Sequence, residues 1–368
     1  MNAARPERGM PITAKESAPT EASDASLFIP FGWFFVRLKL KERLRMRLVY
    51  VMDPMERVLP DKDTTFAFIR AAQERGHISL HCRPEDLFVK DADVFATVRP
   101  VTVSNSAPFA TLGAPEELRL ADAQGIFIRK DPPFDATYLY ATLLLEKLRN
   151  RTTIVNDPRG LRDANEKLYT LHFSRHMPKT LVSTNADQIA RFVTEVGGKA
   201  VIKPLDGAGG AGVMMLSDDD KNRRAIVEML TREGHSHVMV QEYLPAVTLG
   251  DKRVLLLDGE ILGAINRVPR SDDLRSNIHV GGTVEPCEVT EEERKVIADL
   301  VGRLRDDGLV FVGLDMIGGK LTEVNVTSPT GIQELSRHLG RDVARDVIRW
   351  MELRAEEMRP FRASMPAL

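Results

Sequence analysis

The stretch "KPLDGAGGAGV", residues 203–213, narrows the possible folds more than any other segment of the chain. Read as Gly207-x-Gly209-x-x-Gly212, it has the spacing of a dinucleotide fingerprint. Such a fingerprint must open a helix, because the helix N-terminus holds the pyrophosphate. Here Gly212 is followed by Val213, Met214, Met215 and Leu216, then by the polar run Ser217 to Asp220. That pattern predicts strand, loop and strand, so the NAD reading falls. A Walker A loop falls too, because Gly-x4-Gly-Lys-Ser/Thr occurs nowhere in the chain. A glycine hairpin can still fold its N–H groups over phosphate oxygens, and Lys203 adds a positive charge beside it. Taken alone, the segment is equally a hairpin whose glycines only turn the chain.

The segment "FVGLDMIGGKLTEVNV" (311–326) breaks that tie. Glu323 and Asn325 are two apart on a strand, so their side chains share one face, and Val324 and Val326 take the buried one. If Gly318-Gly319-Lys320 form a three-residue loop, Asp315 falls opposite Glu323. A two-residue loop would turn Asp315 to the other face. Asp315, Glu323 and Asn325 would then offer two carboxylates and an amide oxygen. Such a hard-oxygen set suits Mg²⁺ (or Mn²⁺), completed by water and substrate phosphates. The alternative is a solvated hairpin face.

Apolar periodicity organises the chain from about residue 46. "RLVYVMDP" reads as a strand, "DTTFAFIRAAQERG" as a helix with an Asp/Thr start and a Gly stop, and "HISLHC" as the next strand. This β-α-β order opens a parallel sheet. "GIFIRKDPPFD" (125–135) is a buried strand running into a proline-stiffened loop, followed by the helix "TYLYATLLLEKLRN" and the strand "TTIVN". Residues 46–162 therefore form a first α/β domain. From Asp163, "RDANEKLYTLHFS" reads as a helix, "KTLVS" as a strand and "ADQIARFVTEVGG" as a helix. The strands and hairpins that follow make a second, α+β unit over 163–355, with a central part at about 170–245 and a tail at 356–368.

Residues 1–45 read as a leader. The first 26 lack periodicity and resemble disordered sequence. "LFIPFGWFFV" and the basic run after it fit a membrane-surface anchor, an unstructured leader, or an over-long start with Met46 as the true first residue. No apolar run reaches the roughly 18 residues that span a bilayer, and the charge order opposes a secretory signal. Lys+Arg is 51 against Asp+Glu 53, a net charge of -2 that gives no electrostatic reason for a nucleic-acid partner. Two cysteines, Cys82 and Cys287, show no metal spacing and no disulfide framework, which favours a reducing, cytoplasmic setting. His235 and His237 read as surface residues before a strand.

The motifs "VMDP", "RKDPPFD", "LRDANEKL", "IKPLDGAGGAGV", "QEYLP", "GDKRVLLLDGE" and "FVGLDMIGGKLTEVNVTSPTGI" together resemble the ATP-grasp superfamily, and within it the bacterial glutathione synthetase family, from residue 46 to about 350. The resemblance implies an N-terminal parallel-sheet domain followed by a two-subdomain ATP-grasp fold. It implies a homotetramer that joins γ-glutamylcysteine to glycine, consuming ATP and releasing ADP and phosphate through an acyl-phosphate. Lys167 and Lys203 look like the two lysines that hold the ATP phosphates, over the loop of Gly207, Gly209 and Gly210. Gln241, Glu242, Tyr243 and Leu244 resemble the strand that meets adenine, with Asp251 near the ribose. Arg253 and Arg267 would neutralise the transferred phosphoryl group, and Asp315, Glu323 and Asn325 would hold magnesium. Arg129, Lys130 and Asp131 would line the dipeptide pocket. Arg275 and Asn277 match a mobile loop over 269–285 that closes on the substrates. The alternatives are an ATP-grasp ligase with a different acceptor and an ATP-binding regulator without turnover.

Overall fold

Strand β1 (Arg47–Met52) is apolar along its length and buried on both faces. That is the pattern of a parallel strand covered by helices on either side. Asp63 caps α1 (Thr64–Glu74), its Oδ1 accepting from Phe66 N at 2.6 Å, and β2 (Ile78–Cys82) returns parallel to β1. The antiparallel strands β3 (Leu87–Lys90), β4 (Asp93–Val103), β5 (Ala110–Leu112) and β6 (Glu116–Arg119) extend that edge. On the other side β7 (Gly125–Arg129) runs parallel to β1. After α2 (Ala136–Glu146), β8 (Thr153–Val155) runs parallel to β7. The order is β3-β4-β2-β1-β7-β8. Asp53, Lys130 and Asp131 follow the C-terminal ends of β1 and β7, where parallel sheets place their ligands.

The structure is a computed structural model and describes residues 45–269 and 283–364. Arg275, Asn277 and most of the expected mobile loop fall outside that range, as does the leader up to residue 44. Among the described residues no helix is long and apolar enough to cross a membrane.

The helix expected over 162–174 is replaced by a short α3 (Pro158–Asp163), a break, and 3-10 turns over Leu168–His176. Two interactions explain the break. Asn165 Oδ1 accepts from the N–H groups of Lys167 and Leu168, and Glu166 O accepts from Val324 N at 3.0 Å. The Glu166 carbonyl is given to a distant strand, and Thr170 N bonds Lys167 O in place of the helical partner.

The next sheet contains β9 (Thr180–Ser183), β10 (Lys199–Pro204), β11 (Met214–Ser217) and β12 (Val238–Glu242) in the antiparallel order β11-β10-β12-β9. Helices α4 (Ala186–Glu195) and α5 (Arg223–Leu230) cover it. It has a core of its own around Ile189, Val193, Ile202 and Val240. Residues 203–213 are thus a hairpin, Ile202 pairing with Met214.

The last sheet has the order β15-β14-β13-β16-β17: β13 (Asp251–Leu257), β14 (Glu260–Val268), β15 (Thr283–Cys287), β16 (Phe311–Ile317) and β17 (Lys320–Asn325). α6 (Glu291–Asp306) starts with a capping box from Thr290 and Glu293. Its hydrophobic faces merge with those of the first sheet: Val254, Leu314 and Val324 share a core with Val49 and Ile126. After α7 (Ile332–Leu339), α8 (Ala344–Ser364) packs Met351 into the core of Tyr50 and Phe127, and Glu352 bonds His77 at 2.7 Å. α8 runs past residue 355, across the boundary expected for a tail, and covers the first domain.

The turn between β16 and β17 differs from the three-residue loop that would pair Asp315 with Glu323. Ile317 pairs with Lys320, so the loop is the two residues Gly318-Gly319, with φ of 55° and 77°. Such left-handed pairs make the tight hairpin turn that glycine favours. Asp315 nevertheless faces Glu323, because the register shifts after Met316–Leu321. Thr322 is the extra residue of a β-bulge, and its hydroxyl donates to Asp315 O at 3.1 Å.

Candidate active site

Two cavities open between these sheets. The smaller, about 130 Å³, lies between the β10–β11 hairpin and β16–β17. Every residue assigned above to ATP lines it: Lys167, Lys203, Gly207, Gly209, Gly210, Gln241, Glu242, Tyr243, Leu244 and Asp251. The larger, about 340 Å³, runs from Arg253, Arg267, Glu323 and Asn325 out to Arg57, Lys62 and Asp131 of the first domain. Ala208, Gly209 and Glu323 line both cavities, so the two meet at one carboxylate.

The junction is dense in charge. Arg253 grips Asp315 with two bonds, Nε to Oδ1 at 2.8 Å and Nη2 to Oδ2 at 2.7 Å. Arg267 reaches the same Oδ2 at 3.0 Å and Asp251 Oδ2 at 2.6 Å. Burial alone would raise the Asp315 carboxyl, but the two guanidinium groups outweigh it and hold the carboxyl well below the usual range. Lys167 Nζ donates to Gly207 O at 2.6 Å and Glu323 Oε1 at 3.0 Å. Lys203 Nζ donates to Gln241 Oε1 at 2.7 Å. Burial pushes the Lys203 ammonium down, and Lys167 adds to the effect. Two cations thus line the smaller cavity, each bonded to protein oxygens.

Asn325 Nδ2 donates to Gly313 O at 3.1 Å, which leaves its Oδ1 for a cation. Among the described residues no three His, Cys, Asp or Glu side chains gather around one point, so an all-protein metal cage is absent. Two carboxylates and an amide oxygen are the donor type magnesium takes, but here both Asp315 oxygens are bonded by Arg253 and Arg267 and Glu323 Oε1 by Lys167.

The "RKDPPFD" residues divide. Asp131 lines the larger cavity. Lys130 lies beside it, paired with Asp53 at 3.1 Å. Arg129 is buried behind the wall rather than on it. Sequence reasoning missed Glu166. Its Oε1 accepts from Val326 N at 2.8 Å, Thr327 N at 3.0 Å and Thr327 Oγ1 at 2.8 Å, and it lines the larger cavity. Burial, and then Glu323, raise its carboxyl. Its place beside Lys167 in "NEKL" was the available signal. Arg57, Lys62 and Glu334 line the same cavity with no motif to announce them, and Thr330 joins them from within "EVNVTSPTGI".

A cleft between a glycine hairpin and an antiparallel sheet, joined to a domain with a parallel sheet, is the arrangement of an ATP-grasp protein. The fold agrees with D-cycloserine synthetase DcsG, TM-score 0.58 at 18% identity over 85% of this chain and 99% of that one. It also agrees with a RimK domain ATP-grasp protein from Sphaerobacter thermophilus, TM-score 0.54 at 20% identity over 81% and 97%. Residues 46–162 match the prokaryotic glutathione synthetase N-terminal domain, and 166–340 match the prokaryotic glutathione synthetase ATP-grasp domain. The chain is 43% identical over 318 residues to glutathione synthetase of Synechocystis sp., covering 83% of this chain and 99% of the relative. It is 43% identical over 294 residues to that of Agrobacterium fabrum, covering 80% and 92%. The chain belongs to the prokaryotic glutathione synthetase family.

Proposed function

We propose that this ATP-dependent, glutathione-making ligase activates the cysteinyl carboxylate of γ-glutamylcysteine as an acyl-phosphate where its two cavities meet, beside Glu323. A carboxylate does not yield an amide directly, because oxide is a hopeless leaving group. Transfer of the ATP γ-phosphoryl group to a carboxylate oxygen releases ADP. The glycine amine then attacks the carbonyl carbon, and phosphate departs with the carboxylate oxygen. The observation that carries this reading is the shared wall: the one carboxylate that lines both cavities shares the larger one with Arg253 and Arg267 and pairs with Lys167 at 3.0 Å.

The roles follow from position. Lys167 and Lys203 bind the phosphates, Lys167 leaving the Gly207 carbonyl to do so. Gln241 to Leu244 flank the base. Arg253 and Arg267 balance the charge that develops on the transferred group. Asp315, Glu323 and Asn325 would hold magnesium, which supplies charge neutralisation of the phosphates. Asp131 and Lys130 lie on the acid-substrate side. The chain offers no nucleophile here; it positions and shields. The two unpaired cysteines, Cys82 buried and Cys287 half-buried, support a reducing, cytoplasmic setting. The family resemblance supports a homotetramer.

The test is phosphate release from ATP and Mg²⁺ with γ-glutamylcysteine and glycine, each alone and then together. Release that needs both, with an equal amount of glutathione, is the expected result. The acyl-phosphate has its own assay: scrambling of the β,γ-bridge oxygen of ATP with γ-glutamylcysteine but no glycine. Its absence, in an enzyme that turns over fully once glycine is added, would overturn the intermediate.

A further inference from the structure

Arg129 ends β7 with its side chain 4% exposed. Its guanidinium lies beside two aromatic rings from different parts of the chain that pack edge to face on each other, 5.6 Å from the Phe68 centroid and 5.5 Å from that of Phe311. Nε donates to Thr65 Oγ1 at 3.2 Å and Nη2 to Pro329 O at 2.9 Å. A buried guanidinium costs several kcal/mol unless its bonds are well made, so a chain that keeps one uses its geometry. Here that geometry ties the first sheet to the turn after β17.

That turn alternates. Pro329 is buried, while Ser328 and Thr330 on either side are half-buried and line the larger cavity. The Pro329 carbonyl points back to Arg129, and that bond turns its two neighbours outward. Two other charged groups fix the ends of the same turn: Glu166 at Thr327, and Arg253 Nη1 within 3.4 Å of Thr330 O and Oγ1.

We propose that Arg129 is a positioning residue for the acid substrate: it acts through the Pro329 carbonyl to present Ser328 and Thr330 to the larger cavity, and does not itself touch the ligand. The inference rests on the reading that this cavity takes γ-glutamylcysteine. A lysine cannot replace the group, since a single ammonium has neither the flat delocalised face that packs beside the ring pair nor the planar fork that spans two acceptors.

The experiment uses the full chain and calorimetry, measuring affinity for γ-glutamylcysteine with a non-hydrolysable ATP analogue and Mg²⁺ present, and affinity for the analogue itself. Arg129→Lys weakens the dipeptide roughly tenfold, the size expected for a charge-assisted bond that orients a binding wall, and leaves the nucleotide within about twofold. Thr65→Val removes the other acceptor. It lowers the melting temperature and leaves dipeptide affinity unchanged, which separates positioning from plain support. Thr330→Ala weakens the dipeptide too, and the double variant Arg129→Lys/Thr330→Ala is no worse than the weaker single variant, since both act through one turn. Additive losses, or a Thr65→Val variant that weakens the dipeptide as much as Arg129→Lys, overturn the proposal. Unchanged dipeptide affinity in both Arg129→Lys and Thr330→Ala overturns instead the placing of the dipeptide in this cavity. If Arg129→Lys fails to bind nucleotide, Arg129→Met, which keeps the buried stem and offers Pro329 no donor, repeats the cycle with the same criteria.

Discussion

The nucleotide cleft lies between two glycine hairpins that work in opposite ways. The loop joining β10 to β11 is long, and groups outside it hold it: Asn165 Nδ2 on Leu205 O at 3.0 Å and Lys167 Nζ on Gly207 O at 2.6 Å. The loop joining β16 to β17 is two residues, and its own strands hold it. The first hairpin offers backbone that a ligand can claim by replacing a side chain. The second offers side chains, Asp315, Glu323 and Asn325, on backbone held by strand pairing. A phosphoryl-transfer site needs both: a surface that folds over the phosphates, and fixed oxygen donors for the ion between them.

The comparison breaks most completely at Glu323. Replacing it with alanine lowers turnover by at least about a hundredfold, the scale of losing one preorganised electrostatic partner. The melting temperature stays near that of the parent, because the side chain leaves a polar face; a variant with near-normal steady-state rates would remove Glu323 from the metal role. Next in size is Lys203→Ala on the other hairpin. It weakens ATP by about one to two powers of ten, the range of a charge-assisted bond. Calorimetric titration with ATP checks this, and an unchanged affinity would end the phosphate-cradle reading.

A matched pair sharpens the contrast. Gly209 and Gly319 both have left-handed φ, 61° and 77°, and an added Cβ at either meets nothing within 4 Å. Alanine therefore strains both backbones alike, by roughly 1–2 kcal/mol. In the tight hairpin that strain appears as lost stability in a denaturation curve, with ATP affinity kept. In the long loop it appears as weaker ATP binding with little loss of stability. The same outcome at both sites would show that the two hairpins do not divide the work.

The smallest effect lies outside both. Burial opposes the charge on Glu352, but its bonds to His77 and Arg75 prevail and hold the carboxyl down to about 2. A carboxyl depressed on folding contributes stability that is complete above its unfolded value of 4.5, and that is lost as pH falls from there towards about 2. Glu352→Gln is therefore less stable than the parent at neutral pH, and denaturant midpoints converge in acid while ATP affinity stays unchanged. A gap that persists at the acid end would mean that the bond's shape matters and its charge does not.

Much of this site could be read from local pattern. Alternation along "LTEVNV" put Glu323 and Asn325 on one face, and the absence of a helix after Gly212 excluded a dinucleotide fold. Where reading failed, a distant contact had intervened. "RDANEKLYTLHFS" has a helical pattern, yet the bond from Val324 to the Glu166 carbonyl pulls it open. Arg129 sits in a motif that reads as substrate-binding, yet the rings of Phe68 and Phe311 enclose it.

The sequence by itself determined the strands, the class of nucleotide loop and the identity of the charged groups, because periodicity and backbone preference act over a few residues. Tertiary structure alone decided which groups meet. It set the bulge at Thr322 that turns Asp315 to Glu323 across a shorter loop than the pairing required. It chose Glu166 as the partner of Thr327, and Pro329 as the acceptor of Arg129. Those pairs lie 161 and 200 residues apart. Their bonds form only when the sheets close on common cores, and no local preference encodes that closure.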